Sequence, residues 1–379
     1  QNFERDEREI PPGAANYRMI PKLWQEGGAQ LEAIGRQAES MGARETALEA
    51  YAKAVEAYRM AQHPIYYDDH PRKVELHGKL CEVYDRLIAC APYPIERVEV
   101  PFEGKSISCL LHLLPDRRKA PCVLYVPGMD QTKEVFPNVV KNVCLERGLH
   151  CLSMDGPGQG MSNMRKIRAV GDNYERAGQA VISALRERPE VDPDRIGIYG
   201  ISMGSYWSMR IAARDQRVAA VGSAVACWYP NNTIFTQSSP RFKQMFMYMA
   251  GAREEAEFDR IAEKMTLDGQ AEKVSCPVLL VTGEFDPLCP LEDAFRVFEE
   301  VRGPRELWVF ENQFHPLWTI KNLGGLDCHP FVMDWLKKVL TEGAPKGLKR
   351  IAYARVRGKG PFDPACEWKP PIGPEHPYF

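Results

Sequence analysis

The sequence lacks the signatures of several protein classes. None of its eleven cysteines forms a Cys-x-x-Cys pair, which leaves no zinc-site spacing and no disulfide framework. Scattered single cysteines within apolar runs read as free buried thiols of a reducing compartment. No run approaches eighteen consecutive apolar residues, and the polar start from Gln1 to Asp6 has no signal-peptide core, so a cytoplasmic protein is expected, with no membrane partner. The first residue is not Met, which leaves open a removed upstream segment. Charge of one sign is missing too: 49 Lys and Arg stand against 51 Asp and Glu, giving no electrostatic case for nucleic acid or an anionic membrane. The expected partner is a small-molecule substrate, and no cofactor or metal is called for.

What is present divides into three parts. Residues 1–92 are rich in Ala, Glu, Leu, Arg and Gln, with Leu48, Tyr51, Ala52, Val55 and Tyr58 at helical spacing, which predicts three or four helices. Residues 43–62 look like a single tetratricopeptide helix, but no second copy follows at the required period. Two prolines, Pro92 and Pro94, close this region. Across 93–343 a hairpin turning at Glu103-Gly104-Lys105 is followed by strands near 122–126, 150–154, 195–199, 219–226, 278–282 and 306–310. These alternate with helices near 134–147, 173–187, 203–213, 291–300 and 331–341. Alternation of this kind predicts a largely parallel twisted sheet with helices on both faces. Residues 228–274 are too long for a plain crossover and read as a helical cap insertion. Residues 344–379, rich in Pro, Gly, Lys and Arg, are expected to form a tail over the surface, a candidate contact for an acidic partner.

The chemistry-bearing residues fall at the C-terminal ends of the strands, where open parallel sheets collect ligands. The strand ending at Tyr199 runs into Gly200-Ile201-Ser202-Met203-Gly204 and then a helix, the context of a nucleophile elbow. A tight turn strains the serine, and small residues two positions to either side leave room for it. Asp286 follows the apolar run Val278-Leu279-Leu280-Val281-Thr282 and is the candidate acid, with Glu284 competing. His315 follows the strand 306–310 and is the candidate base; His329, expected to cap a helix or lie on the surface, is its rival. The order Ser, acid, His is that of one arrangement of the triad. The backbone N–H groups of Met203 and Met129 are the candidate oxyanion donors. Asp130 and Lys133 would border the site, and Trp228 and Phe246 would contribute an apolar substrate wall, although packing of the cap alone also explains the aromatic residues. Asp155-Gly156-Pro157-Gly158-Gln159-Gly160 reads as architectural, since no Gly-Lys-Ser/Thr follows it.

Taken together, Gly128-Met129-Asp130-x-Thr132-Lys133-Glu134, the Asp155–Gly160 loop and the Ser-Asp-His series, behind a helical N-terminal region, resemble the α/β-hydrolase group that includes FrsA-like esterases, 2,6-dihydroxypseudooxynicotine hydrolase and fungal polyketide-shortening hydrolases. The resemblance covers residues 17–343. It implies an α/β-hydrolase fold with an N-terminal helical lid domain, a triad of Ser202, Asp286 and His315, and cleavage of an ester or of a carbon–carbon bond beside a ketone. The extra glutamate of the nicotine-pathway member has no counterpart in Trp228-Tyr229-Pro230-Asn231-Asn232-Thr233. The helical region also offers a surface for a homodimer. The non-enzymatic alternative is a binding or regulatory protein on a hydrolase fold.

Overall fold

Three helices open the structure: α1 (Ile20–Ser40), α2 (Arg44–Gln62) and α3 (Pro71–Cys90). Their shared face collects Leu48, Tyr51, Tyr58, Leu76, Leu80, Val83 and Leu87 into one apolar cluster that continues onto Leu110 and Val139. Arg44 ties the start of α2 to the end of α3 by donating to the carbonyls of Ala89, Cys90 and Ala91 at 2.8, 3.0 and 3.1 Å. Those carbonyls end a helix and have no intrahelical partner.

The computed structural model describes residues 16–129, 131–311, 313–315 and 328–354. After the helices come β1 (Ile95–Phe102), β2 (Lys105–His112), β3 (Ala120–Val126), β4 (His150–Met154), α4 (Gly160–Met164), α5 (Asn173–Arg186), β5 (Val191–Ile201), α6 (Met203–Arg214) and β6 (Ala220–Ala224). Then follow α7 (Pro240–Ala250), α8 (Glu255–Ala262), β7 (Val278–Gly283), α9 (Leu291–Glu300), β8 (Arg305–Phe310), α10 (Cys328–Glu342) and β9 (Lys349–Ala354). The described strands form one nine-stranded sheet in the order β1-β2-β4-β3-β5-β6-β7-β8-β9. β1 pairs antiparallel with β2, and β2 with β4; every other neighbouring pair is parallel.

The parallel strands are covered on both faces, which is why β3, β4, β6 and β7 are buried at every position and read as continuous apolar runs. On one face Tyr174, Val181, Ile182, Met209 and Ile211 from α5 and α6, with Val297 and Phe298 from α9, join the largest core cluster. On the other, Val332, Met333, Leu336 and Leu340 from α10 pack with Phe136, Tyr125 and Tyr199. Crossing order in the sheet brings β3, β5 and β6 side by side at its centre, so their C-terminal ends lie together at one edge, where open parallel sheets collect ligands.

Two expectations are corrected. Residues 134–147 form turns with a short 3-10 segment at Leu145–Arg147 in place of a helix. Pro137 interrupts the run, and two asparagines divert the backbone: Asn138 Oδ1 accepts from the N–H groups of Val140 and Lys141, and Asn142 Oδ1 from those of Cys144 and Leu145. Such side-chain acceptors compete with the helical ladder. The region after 343 is also not wholly a surface tail, because Lys349–Ala354 is the sheet's edge strand, registered on β8 from Arg305↔Lys349 to Phe310↔Ala354. Residues 355–379 lie outside the described residues.

Candidate active site

Ser202 sits between β5 and α6 with φ 54° and ψ −125°, a conformation that costs an L-residue about 1–3 kcal/mol. The turn is closed by packing so tight that only glycine fits on either side. A Cβ on Gly200 would lie 2.3 Å from the Gly204 carbonyl oxygen, and one on Gly204 would lie 2.1 Å from that of Val126. The Ser202 N–H is fixed to Ala224 O at 3.0 Å, and Ser205 Oγ bridges the carbonyls of Gly200 and Ala224 at 2.9 and 3.0 Å. The strain is thus held by β5, β6 and α6 together. Gly204→Ala forces the β3 carbonyls apart. It should lower turnover of an activated ester on the order of 100-fold, the scale of a 1 Å displacement of a reacting group, and lower the melting temperature; unchanged turnover would show that the elbow tolerates movement.

The structure brings the three residues of the expected series into contact. His315 Nε2 is 2.8 Å from Ser202 Oγ, and His315 Nδ1 is 2.8 Å from Asp286 Oδ2. The other carboxylate oxygen of Asp286 accepts the N–H groups of Leu288 and Cys289 at 2.9 and 3.3 Å, which fixes its orientation. Asp286's side chain is fully buried, whereas that of His315 keeps 19% of its surface exposed. The imidazole can therefore exchange protons with solvent, and the carboxylate cannot. Closure of the His315 loop onto β7 depends on Gly283, where a Cβ would come within 2.5 Å of the carbonyl oxygens of Gln313 and Phe314. Cys227 Sγ lies 3.9 Å from Ser202 Oγ, but burial, helped by the nearby Asp286, pushes its thiol well up. It remains a neutral thiol, inert as a nucleophile.

Met203 is the first residue of α6, so its N–H has no intrahelical partner and points with the positive end of the helix. Met129 follows β3 on the turn that Gln159 braces by donating Nε2 to the carbonyls of Pro127 and Gly128 at 3.2 and 2.6 Å. Gln159 Oε1 in turn accepts from Tyr174 at 2.7 Å, whose ring stacks on Trp207 at 4.0 Å. The Asp155–Gly160 loop therefore acts as a brace, as the sequence indicated, and Gln159 is its operative side chain. Sequence reading had not singled out Gln159.

The remaining expected contacts are dispersed. Lys133 does not face open space: its ammonium is fully buried between Asp155 Oδ2 at 2.8 Å and Glu134 Oε1 at 2.6 Å. The second oxygen of Asp155 accepts the Lys133 backbone N–H at 2.8 Å. Trp228 is 2% exposed within the core, and Phe246 packs edge-to-face on Phe235 at 5.0 Å and lies 6.0 Å from Trp207. Asp130 lies outside the described residues. His329, read as a surface or capping residue, instead lies 2.6 Å by Nδ1 from the Tyr199 hydroxyl, away from the Ser202 contact.

A cavity of about 60 Å³ opens beside this turn, lined by Met129, Gln131, Gln159, Tyr248, Met249 and Lys73 among others. It meets α2 and α3 on one side and α7 on the other. A Cβ built on Gly128 would lie 3.4 Å from Ser202 Cβ and 3.6 Å from Gln131 Oε1, so the cavity wall begins one residue from the serine. Among the described residues no cluster of His, Cys, Asp and Glu could hold a metal ion, and no helix is long and apolar enough to cross a membrane.

A sequence model of the family described as "Esterase FrsA-like" matches residues 24–296. The chain is 27% identical over 261 residues to 2,6-dihydropseudooxynicotine hydrolase of Paenarthrobacter nicotinovorans, covering 66% of each chain. It is 28% identical over 262 residues to hydrolase LUC6 of a Fusarium species, covering 57% of this chain and 62% of the relative. The match thus spans about two thirds or less of these relatives' length. The crystal structure of the 2,6-dihydroxy-pseudo-oxynicotine hydrolase superposes with a TM-score of 0.75 at 23% identity, over 87% of this chain and 91% of that one, and has the same fold.

Proposed function

The chain belongs to the FrsA-like esterase family of α/β hydrolases, and from that premise we propose that it is a serine hydrolase that cleaves the acyl bond of a small carbonyl substrate with an apolar body. The observation that carries this reading is the relay Ser202–His315–Asp286, with both links at 2.8 Å and the serine in a backbone conformation that nothing but a held elbow would maintain.

Ser202 Oγ donates its hydrogen to His315 Nε2 and attacks the substrate carbonyl carbon. The carbonyl π pair moves onto oxygen, where the N–H groups of Met203 and Met129 receive the charge; one such donor is worth about 2.7–4 kcal/mol. Asp286 accepts from His315 Nδ1–H, holds that tautomer and stabilises the imidazolium. Collapse of the tetrahedral intermediate expels the leaving group, which takes the proton from His315 Nε2. Water, deprotonated by His315, then attacks the acyl-enzyme, and Ser202 leaves with its proton restored. An ester releases an alcohol. A carbon–carbon substrate releases a carbanion, which must be stabilised by an adjacent carbonyl or acidic ring before His315 protonates it.

The two outcomes differ only in the leaving group, so substrate profiling separates them. Purified protein assayed on p-nitrophenyl acetate and butyrate, on acylated phenols and on β-diketones is expected to hydrolyse the activated esters. Fast ester turnover with no diketone cleavage limits the reaction to esters; no turnover of any member points to a binding or regulatory role for the fold.

A further inference from the structure

Lys73 on α3 is 8% exposed and faces the cavity beside the Met129 turn. Its ammonium donates to the carbonyls of Gln62 and Ile65 at 3.2 and 2.8 Å and lies 4.8 Å from the centre of the Tyr248 ring. An ammonium has three N–H donors, so one is left over, and among the described residues no carboxylate pairs with it. Burial alone pushes Lys73 down to about 7. A cation in that position is uncompensated, in contrast with Lys133, which has two carboxylates around it.

The rest of the wall has the same bias. Gln62 Nε2 is buried with no hydrogen-bond partner among the described residues, whereas Arg59, which also lines the cavity, is neutralised by its ion pair with Glu56 and adds no free charge. No Asp or Glu is among the described lining residues. The leftover Lys73 N–H and the unpartnered Gln62 Nε2, with no lining carboxylate, make the cavity complementary to an oxygen acceptor carrying negative charge. Its volume of about 60 Å³ is well below the roughly 300–1,000 Å³ of a site that encloses a whole ligand, so it fits one compact group of a larger molecule.

We propose that this cavity binds an anionic oxygen group of the substrate, a carboxylate or phenolate, and that Lys73 is the residue that selects for it. The inference rests on the serine-hydrolase reading for its location: the group held at Lys73 belongs to the molecule whose carbonyl is presented past Met129 to Ser202. The N-terminal helices thereby contribute specificity to chemistry carried entirely by the sheet.

Titration calorimetry on the Ser202→Ala protein at pH 6, where Lys73 is charged, tests this with three ligands: benzoate, 2,4-dinitrophenolate and the neutral benzamide. Because the serine is already removed, the result does not depend on whether it is the nucleophile. Benzoate, 2,4-dinitrophenolate or both are expected to bind at least about 10-fold more tightly than benzamide, and Lys73→Met in the same background is expected to erase that preference; which anion binds identifies the source. Gln62→Leu, which leaves the lysine in place, is expected to weaken the preferred anion about threefold to tenfold, and serves as the reading if Lys73→Met does not fold. Benzamide binding as tightly as both anions, or an anion preference that survives both substitutions, overturns the proposal. A general loss of packing would weaken all three ligands alike and would leave the preference intact.

Discussion

Replacing Ser202 with alanine is expected to reduce ester hydrolysis by about 10⁴–10⁶-fold, the cost of removing the attacking atom from a triad whose members act as a unit. The protein should remain folded, because among the described residues the hydroxyl contacts His315 at 2.8 Å and the Cys227 thiol at 3.9 Å and bonds no backbone group. A companion substitution sharpens the point. At φ 54° and ψ −125° Ser202→Gly removes the Cβ that makes the conformation unfavourable, so this variant should be inactive and yet more stable than the parent by on the order of 1 kcal/mol. Stability gained on losing a functional residue marks a position where strain serves activity. Thermal melts of parent, S202A and S202G, run beside p-nitrophenyl acetate assays, read both effects. Retained activity in S202A would remove the serine from the mechanism, and a destabilised S202G would contradict the assignment of strain.

The second large effect is expected at Lys133, and it concerns stability. Its ammonium neutralises Asp155 and Glu134 where all three side chains are fully buried. For Glu134, burial by itself raises the carboxyl, but Lys133 beside it, helped by His77 and the Thr132 hydroxyl, more than reverses this and holds the group at about 2, while the acids around it hold the Lys133 ammonium well above its ordinary range against the pull of burial. Lys133→Ala leaves two buried carboxylates without their cation, which costs about 3–5 kcal/mol. Urea unfolding at pH 7 should show this loss, whereas a lysine contacting only substrate would raise KM and leave the midpoint unchanged. The pH dependence has a definite sign. Glu134 is depressed in the folded state, so its contribution is present above an unfolded carboxylate's range near pH 4.5 and is lost as pH falls toward 2. In the parent, stability should fall through that window; in Lys133→Ala this part of the acid dependence should be reduced or inverted.

The contrast between Lys133 and Lys73 shows where sequence reading reached its limit. Ser202, Asp286 and His315 were legible because each follows an apolar strand at the same edge of a parallel sheet, and strand periodicity and chain order survive in one dimension. The elbow was legible for the further reason that Gly200 and Gly204 are required by the close packing of α6 on β5 and on the end of β3. Lys133 belongs to the same motif as Met129 and was expected at the site on proximity alone; only burial reveals that it faces inward to Asp155, which is twenty-two positions away. Lys73 carries no local signal at all. It lies in an amphipathic helix among other charged residues, and its isolation from carboxylates is created by α2, α3 and α7 meeting.

Secondary structure failed for comparable reasons. Residues 134–147 have helical apolar spacing around Val135, Val139 and Val143, yet Asn138 and Asn142 each capture two backbone donors. Strand β9 was hidden by its lysine and arginine neighbours, which are suited to a sheet edge because charge there discourages further pairing. Its alternating Ile351, Ala352, Tyr353 and Ala354 was the signal available.

The central claim is that Ser202 is the nucleophile, and covalent labelling tests it most directly. Treating parent, S202A and H315A proteins with a fluorophosphonate, followed by intact-mass measurement and peptide mapping, should give one adduct on Ser202 of the parent, none on S202A, and much slower labelling of H315A. An unlabelled parent that is folded, or an adduct that persists in S202A, would contradict the account.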